Sequence, residues 1–171
     1  SGSCQLSNYL AAVSTHKIYA LDLSFNALKE GRKFFKNNIN NKNLVFCNFS
    51  IFENPFKART MDYIFALGCL HHTYDTKKAF KEAANLLKDE GIIIVSLYNK
   101  IGRANTSVLK YLSYIFTKKI IRIFDPALKK IKSQKKQNTW INDQYFNPNE
   151  FRHSYDEVIE WSKESNLEIL N

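Results

Sequence analysis

The residues able to do chemistry sit where apolar runs end. In Ala20-Leu-Asp-Leu-Ser24 an acid, Asp22, closes such a run. One carboxylate there can accept bonds from both hydroxyls of a ribose, and it can equally cap a following helix. His71 and His72 come just after Asp62-Tyr-Ile-Phe-Ala-Leu67, and Tyr98 and Asn99 close the run that begins at Gly91. An imidazole there can take a proton from an oxygen or nitrogen nucleophile, and Tyr98 and Asn99 are candidates by position beside it. The alternative for the histidine pair is a turn whose imidazoles serve as loop caps. Ser1-Gly-Ser-Cys4 leads small residues into a helical stretch, which lets a ligand approach the backbone and offers helix-start N–H groups to a carboxylate. A flexible chain start has the same composition. Finally, Trp140-Ile-Asn-Asp-Gln-Tyr-Phe-Asn-Pro-Asn-Glu150, followed by His153, mixes aromatic and polar residues with little periodicity. That is the composition of a small-molecule pocket wall, with Tyr145 as its candidate catalytic group, and also of a packed loop.

Metal chemistry is not expected. Cys4, Cys47 and Cys69 are odd in number and lack ligand spacing, and the paired histidines have no third ligand nearby. Free thiols suit a reducing cytoplasm, and no secretory pattern opens the chain. No apolar run approaches the roughly 20 residues needed to cross a bilayer, so a cytoplasmic protein without membrane partners is expected. The formal charge of +9 belongs to one segment, because Arg103 to Lys136 holds ten Lys or Arg and a single acid, Asp125. Elsewhere acids and bases balance. Lys118 to Lys136 is therefore a candidate RNA grip, whose binding would weaken steeply with salt, or simply a solvated face.

The elements that must position these groups follow from the pattern of apolar residues. Lys17 to Asp22, Asn43 to Asn48, Asp62 to Leu67 and Gly91 to Tyr98 are strand-like runs. Helical spacing is expected over Asn26 to Asn37 and over Thr76 to Lys88, the latter capped by Asp75. Near-continuous apolar strands alternating with helices predict a mostly parallel sheet covered on both faces, in one domain spanning 1–171. A basic helical insertion is expected over 103–138, with Leu112, Ile115 and Phe116 packed down and lysines outward. Asp156 to Glu164 should be a last helix, and Leu167 to Leu170 a further strand. In such a sheet ligands bind beyond the carboxyl ends of the strands, where the groups above lie.

Taken together, these segments resemble class I S-adenosylmethionine-dependent methyltransferases. Ser-Gly-Ser-Cys-Gln-Leu looks like the end of that family's glycine-rich first motif, with Gly2 as its middle glycine and Cys4 in place of the last. Asp22 falls some 20 residues on, where the family has its ribose-binding acid, and Ser50 stands where an Asp usually meets the adenine. Met61 to Asp75 resembles the fourth strand and its loop, and Lys88-Asp-Glu-Gly91 stands where Lys-Pro-Gly-Gly is usual. The resemblance implies a Rossmann-like doubly wound α/β fold whose first strand is missing. It also implies S-adenosylmethionine as cofactor, held by Gly2, Ser3, Cys4, Asp22, Leu23, Ser50, Ile51, Leu67 and Gly68. The implied reaction is methyl transfer to a small-molecule acceptor, with His71, His72, Tyr98, Asn99 and Tyr145 as candidate catalytic groups. The basic segment offers an RNA methyltransferase as the alternative, although the Asn/Asp-Pro-Pro-Tyr pattern of base amino-group methylation is absent. The Cys4 and Ser50 departures offer a second alternative, an inactive binding module of the same fold. A dehydrogenase would need the complete Gly-x-Gly-x-x-Gly turn that the chain lacks.

Overall fold

The computed structural model describes residues 2, 4–36, 43–117 and 119–170. The chain divides into two compact units, Ser1–Ala66 with Glu82–Ile93, and Leu67–Lys81 with Ile94–Asn171.

In the first unit, helix α1 (Gln5–Val13) precedes strand β1 (Ile18–Leu21), helix α2 (Phe25–Lys36) and strand β2 (Leu44–Cys47). The strands pair in parallel with Ile18 opposite Leu44 and Leu21 opposite Cys47. Their side chains alternate across the pleat, so Ala20 and Leu44 reach a core shared with Cys4, Ala11 and Leu28. Strand β3 (Met61–Leu67) pairs with β4 (Leu87–Ser96) in a second two-stranded sheet. Met61 N–H donates to Leu86 O at one end, and Gly68 N–H donates to Ser96 O at the other. Both partners advance together along the chain, so this pair is parallel too. Helix α3 (Thr76–Asn85) is the crossover between them, capped by Asp75, whose Oδ1 accepts from Lys78 N–H at 2.9 Å.

The α/β class is as expected, but three details differ. The parallel strands form two short sheets instead of one, which places Asp22 and Ser50 beyond the carboxyl end of one sheet and Leu67 at the end of the other. Among the described residues, one face of β3 is open, with Tyr63, Phe65 and Leu67 at alternating positions and 61%, 41% and 50% exposed. Strand β4 begins at Leu87 and not Gly91. Gly91 is needed for close approach, since a Cβ there would stand 3.0 Å from the carbonyl oxygens of both Lys88 and Met61.

The second unit is mainly helical. Helices α4 (Ala104–Ile115), α5 (Lys119–Phe124), α6 (Pro126–Lys129) and α7 (Gln134–Tyr145) cover the basic stretch, and α8 (Tyr155–Glu164) follows. Their core gathers Ile121, Leu128, Ile141 and Tyr145, with Leu109 and Trp140 against it. The expectation that Ile115 and Phe116 pack down is overturned, for they are 57% and 64% exposed. On α4 the inward arc is Leu109 and Ser113, with Leu112 beside it, while Val108, Tyr111 and Ile115 lie opposite. Leu167 to Leu170 forms no strand and pairs with none among the described residues. Ser154 and Glu157 close a reciprocal capping box at the start of α8.

Candidate functional site

In the first unit two of the residues expected to hold a cofactor, Gly2 and Asp22, meet directly. Asp22 Oδ1 accepts from Ser24 N–H at 2.8 Å and its Oδ2 from Gly2 N–H at 2.6 Å. Burial pushes this carboxyl up. The bonds donated to it, those of Ser24 and Gly2 among them, outweigh that and hold it below its ordinary range. Helix α2 takes its cap from elsewhere, because Ser24 Oγ accepts from Ala27 N–H at 3.3 Å. Asp22 is therefore not consumed as a helix cap. Asn48 Nδ2 bridges the carbonyls of Asp22 and Leu23, both at 2.9 Å, and so fixes the loop after β1 against the loop after β2.

Leu23 and Phe25 are 74% and 66% exposed, offering apolar area beside a polar anchor. Gly2 has φ +52° with nothing within 4 Å of where a Cβ would stand. Cys4 also takes the left-handed conformation, at φ 56°, and heads α1. Its side chain, 1% exposed, packs into the β1–β2 core and its thiol faces Gly2 O at 3.5 Å. The thiol thus fills protein interior. Ser50 caps the turn Ile51–Glu53, accepting from Phe52 N–H at 3.3 Å, and keeps its O–H to donate. Ser3 lies outside the described residues.

The second unit holds Leu67, Gly68 and all five catalytic candidates. Gly68 has φ +67° and open space at its Cβ position. His71 is fully buried, with its ring 3.9 Å from that of Tyr98 and 4.3 Å from that of His72. Burial first, and then the neighbouring His72, lower its pKa to about 4, so it is neutral near pH 7. Neither ring nitrogen has a hydrogen-bond partner among the described residues. His72 Nδ1 lies 2.8 Å from Asn149 O, a carbonyl that can only accept. In the neutral tautomer that this bond selects, Nδ1 is the donor and Nε2 the acceptor nitrogen.

Two candidates are otherwise occupied. Asn99 Oδ1 accepts from the N–H groups of Ile101 and Gly102 at 2.9 and 3.0 Å, stapling its own turn. Tyr145 donates its hydroxyl to Asp125 Oδ2 at 3.1 Å, and burial together with that carboxylate raises its pKa to about 12. Such a phenol holds its proton and shares the Asp125 carboxylate with Trp140 Nε1 and Ala127 N–H.

An ion-pair cluster escaped sequence reasoning. Arg103 grips Gln144 through Nη1 to Oε1 at 2.8 Å and Nη2 to the backbone O at 2.6 Å, and it meets Glu150 at 3.3 Å. Arg152 meets the other oxygen of Glu150 at 2.9 Å and also donates to Ser107 Oγ. Gln144 Oε1 accepts from the Tyr98 hydroxyl as well, at 3.2 Å. Phe151 N–H donates to His71 O, and His153 N–H to Tyr98 O, so the 149–153 segment is laced to the histidine turn and to the end of β4. The only sequence signal was the density of polar and aromatic residues between Trp140 and Glu150.

Residues 1–95 match the methyltransferase domain family. The chain belongs to that family. Its fold is that of the class I S-adenosylmethionine-dependent methyltransferases, as solved structures with low identity also show. PKMT2 of Rickettsia typhi aligns with a TM-score of 0.73 at 14% identity, over 95% of this chain and 37% of that one. A candidate methyltransferase of Bacillus halodurans C-125 gives 0.67 at 15% identity, over 99% of this chain and 61% of that one. A Thermotoga maritima protein described as a SAM-dependent methyltransferase gives 0.58 at 16%, over 98% and 60%. This methyltransferase-family chain thus spans about six-tenths or less of the length of these three. No helix among its described residues is long and apolar enough to cross a membrane.

Proposed function

We propose that this chain binds S-adenosylmethionine through Asp22 and serves methyl transfer to a small-molecule acceptor. The observation that carries the reading is the division of labour between Asp22 and Ser24. The serine caps α2, while the aspartate carboxylate stands at the end of β1, held below its ordinary range by the bonds it accepts. An ionised carboxylate at a strand end is the kind of acceptor that the two hydroxyls of a ribose require. Exposed Leu23 supplies apolar area beside it, and the Ser50 hydroxyl offers a bond toward a base.

The bound sulfonium supplies an already activated methyl group, so the protein's work is to hold, align and keep water out. In the second unit the Tyr98 ring, the His72 imidazole and Gln144 provide an aromatic wall with a few directed polar groups, as a small acceptor requires. His72 Nε2 is the group that would take a proton from an oxygen or nitrogen acceptor. Buried His71 supports it from beneath and is not itself the base. Tyr98 and Asn99 shape the wall, the latter through its turn.

Calorimetric titration with S-adenosylmethionine tests the reading. Charge-assisted bonds to the ribose are worth about 1.5 to 3 kcal/mol, so Asp22→Ala should weaken binding roughly 10- to 150-fold. Thermal melts run alongside separate this from unfolding, since the same carboxylate also ties Gly2 and Ser24. Equal affinity of both proteins would remove Asp22 from the cofactor site. A folded wild-type chain that binds no cofactor would favour the inactive binding module.

A further inference from the structure

From the surface of α4 and α5 we infer that the second unit lies on anionic lipid bilayers, as an interfacial element and not a spanning one. Helix α4 is apolar on its solvent side. Val108, Tyr111 and Ile115, spaced three and four apart, share the face opposite Leu109 and Ser113 and are 57%, 66% and 57% exposed. Tyr114 beside them is 67% exposed, and the surface continues along the chain through Phe116 to Ile123 and Phe124, all more than half exposed. Soluble proteins seldom leave a run of large apolar side chains in water without an occupant.

Charge identifies the occupant. The segment from Arg103 to Lys136 carries ten Lys or Arg and one acid. That acid, Asp125, is turned inward and bonded to Trp140, Tyr145 and Ala127, so it neutralises nothing outside. Lys119, Lys129, Lys130 and Lys132 are all exposed. Exposed aliphatic and aromatic side chains interleaved with cations match the headgroup boundary of an anionic bilayer, where rings sit at the interface and long cationic side chains reach phosphates. Single-stranded RNA would use the charge and stack on tyrosines, but the aliphatic side chains of Val108, Ile115 and Ile123 have no stacking surface to offer. A dimer made through this face would bring like charges together. The absence of a bilayer-crossing helix among the described residues is consistent with this placement, because an interfacial helix does not span.

Flotation of the purified chain with vesicles of phosphatidylcholine alone, or mixed with phosphatidylglycerol, tests the inference. The chain should float with the mixed vesicles and remain behind with the neutral ones. Raising salt should release it, because surface charges are screened beyond a Debye length. Lys110→Gln with Lys119→Gln should lower partitioning about 30-fold. Tyr111→Ser with Ile115→Ser and Phe116→Ser should abolish flotation while circular dichroism and melting stay near wild type. The composition and salt series on the unaltered chain stand even where the triple variant misfolds. No flotation with anionic vesicles overturns the inference, and so does equal flotation with neutral ones. Binding to homopolymer RNA with no vesicle binding would assign the surface to nucleic acid. A concentration-dependent dimer lost in the triple variant, again without vesicle binding, would assign it to a second copy.

Discussion

The Arg103 guanidinium lies 4.0 Å over the ring of Tyr98, and the two side chains share one acceptor, Gln144 Oε1. Stack and shared bond together lock the end of β4 to the carboxyl end of α7. Glu150, 7% exposed at its side chain, lies between Arg103 and Arg152 and is the buried charge that both neutralise.

Replacing Arg103 by Ala should therefore destabilise the chain strongly. It leaves Glu150 with Arg152 alone and strips Gln144 of two donors. Breaking a buried pair costs about 3 kcal/mol or more, and Arg152 retains part of the compensation. Urea unfolding should show a loss of about 2 to 3 kcal/mol. Arg103→Lys keeps the charge without the fork, so it should fall between the two proteins.

Acid should destabilise the chain through His71 before its carboxylates titrate. The pKa of His71 is lowered to about 4 from an unperturbed 6.5. Between those values the unfolded chain binds a proton that the folded chain does not, so stability is complete above about pH 6.5 and falls as pH drops. Burial, ahead of the opposing pull of Glu157, lowers His153 as well, in the same sense. Glu157, held to about 2 by the Ser154 backbone N–H and Lys100, loses its contribution only in stronger acid. Melting temperatures taken from pH 7 to 4.5 should fall steadily, and His71→Leu should flatten that slope without removing it.

Tyr145→Phe separates a structural phenol from a catalytic one. The hydroxyl donates to Asp125, which also accepts from Trp140 and from the α6 backbone. Losing one bond to a charged group costs about 1.5 to 3 kcal/mol, and a denaturant midpoint should show it. Cofactor binding should be unchanged. A normal midpoint with lost methyl transfer would restore Tyr145 to the catalytic set.

The strands of the first unit and the position of Asp22 were legible because they rest on local signals: apolar runs of strand length, and an acid and a serine at a strand end. The outward face of α4 was not. Leu109 and Leu112 supply an apolar arc on one side, and Val108, Tyr111 and Ile115 another on the opposite side. Periodicity alone therefore does not choose the inner face. Helix α7 was hidden for the opposite reason, since its first turns are polar and only Ile141 and Tyr145 are buried. The Arg103–Glu150 pair joins positions 47 apart, and nothing in either local stretch announces the other. Leu167 to Leu170 reads as a strand by propensity, but a strand exists only where a neighbour supplies its hydrogen bonds.

Gly91 tests the junction between α3 and β4, where the sequence pattern pointed to a helix end and the structure shows a close backbone crossing. Any side chain at this position meets the carbonyl oxygens of Lys88 and Met61 at 3.0 Å and Leu87 Cδ2 at 3.1 Å. Two of these three neighbours are backbone, one from β3 and one from the β4 strand itself, so neither can rotate away. Gly91→Ala must push the strands apart near Met61, where its N–H bonds to Leu86 O at 2.8 Å. Overpacking of this kind costs about 1 to 3 kcal/mol, against a gain of less than about 1 from the reduced freedom of the unfolded chain. The net effect should be a fall in the denaturation midpoint, accompanied by faster amide exchange at Met61. Unchanged stability would mean that the crossing relaxes freely, and that Gly91 is there only as the end of the turn after α3.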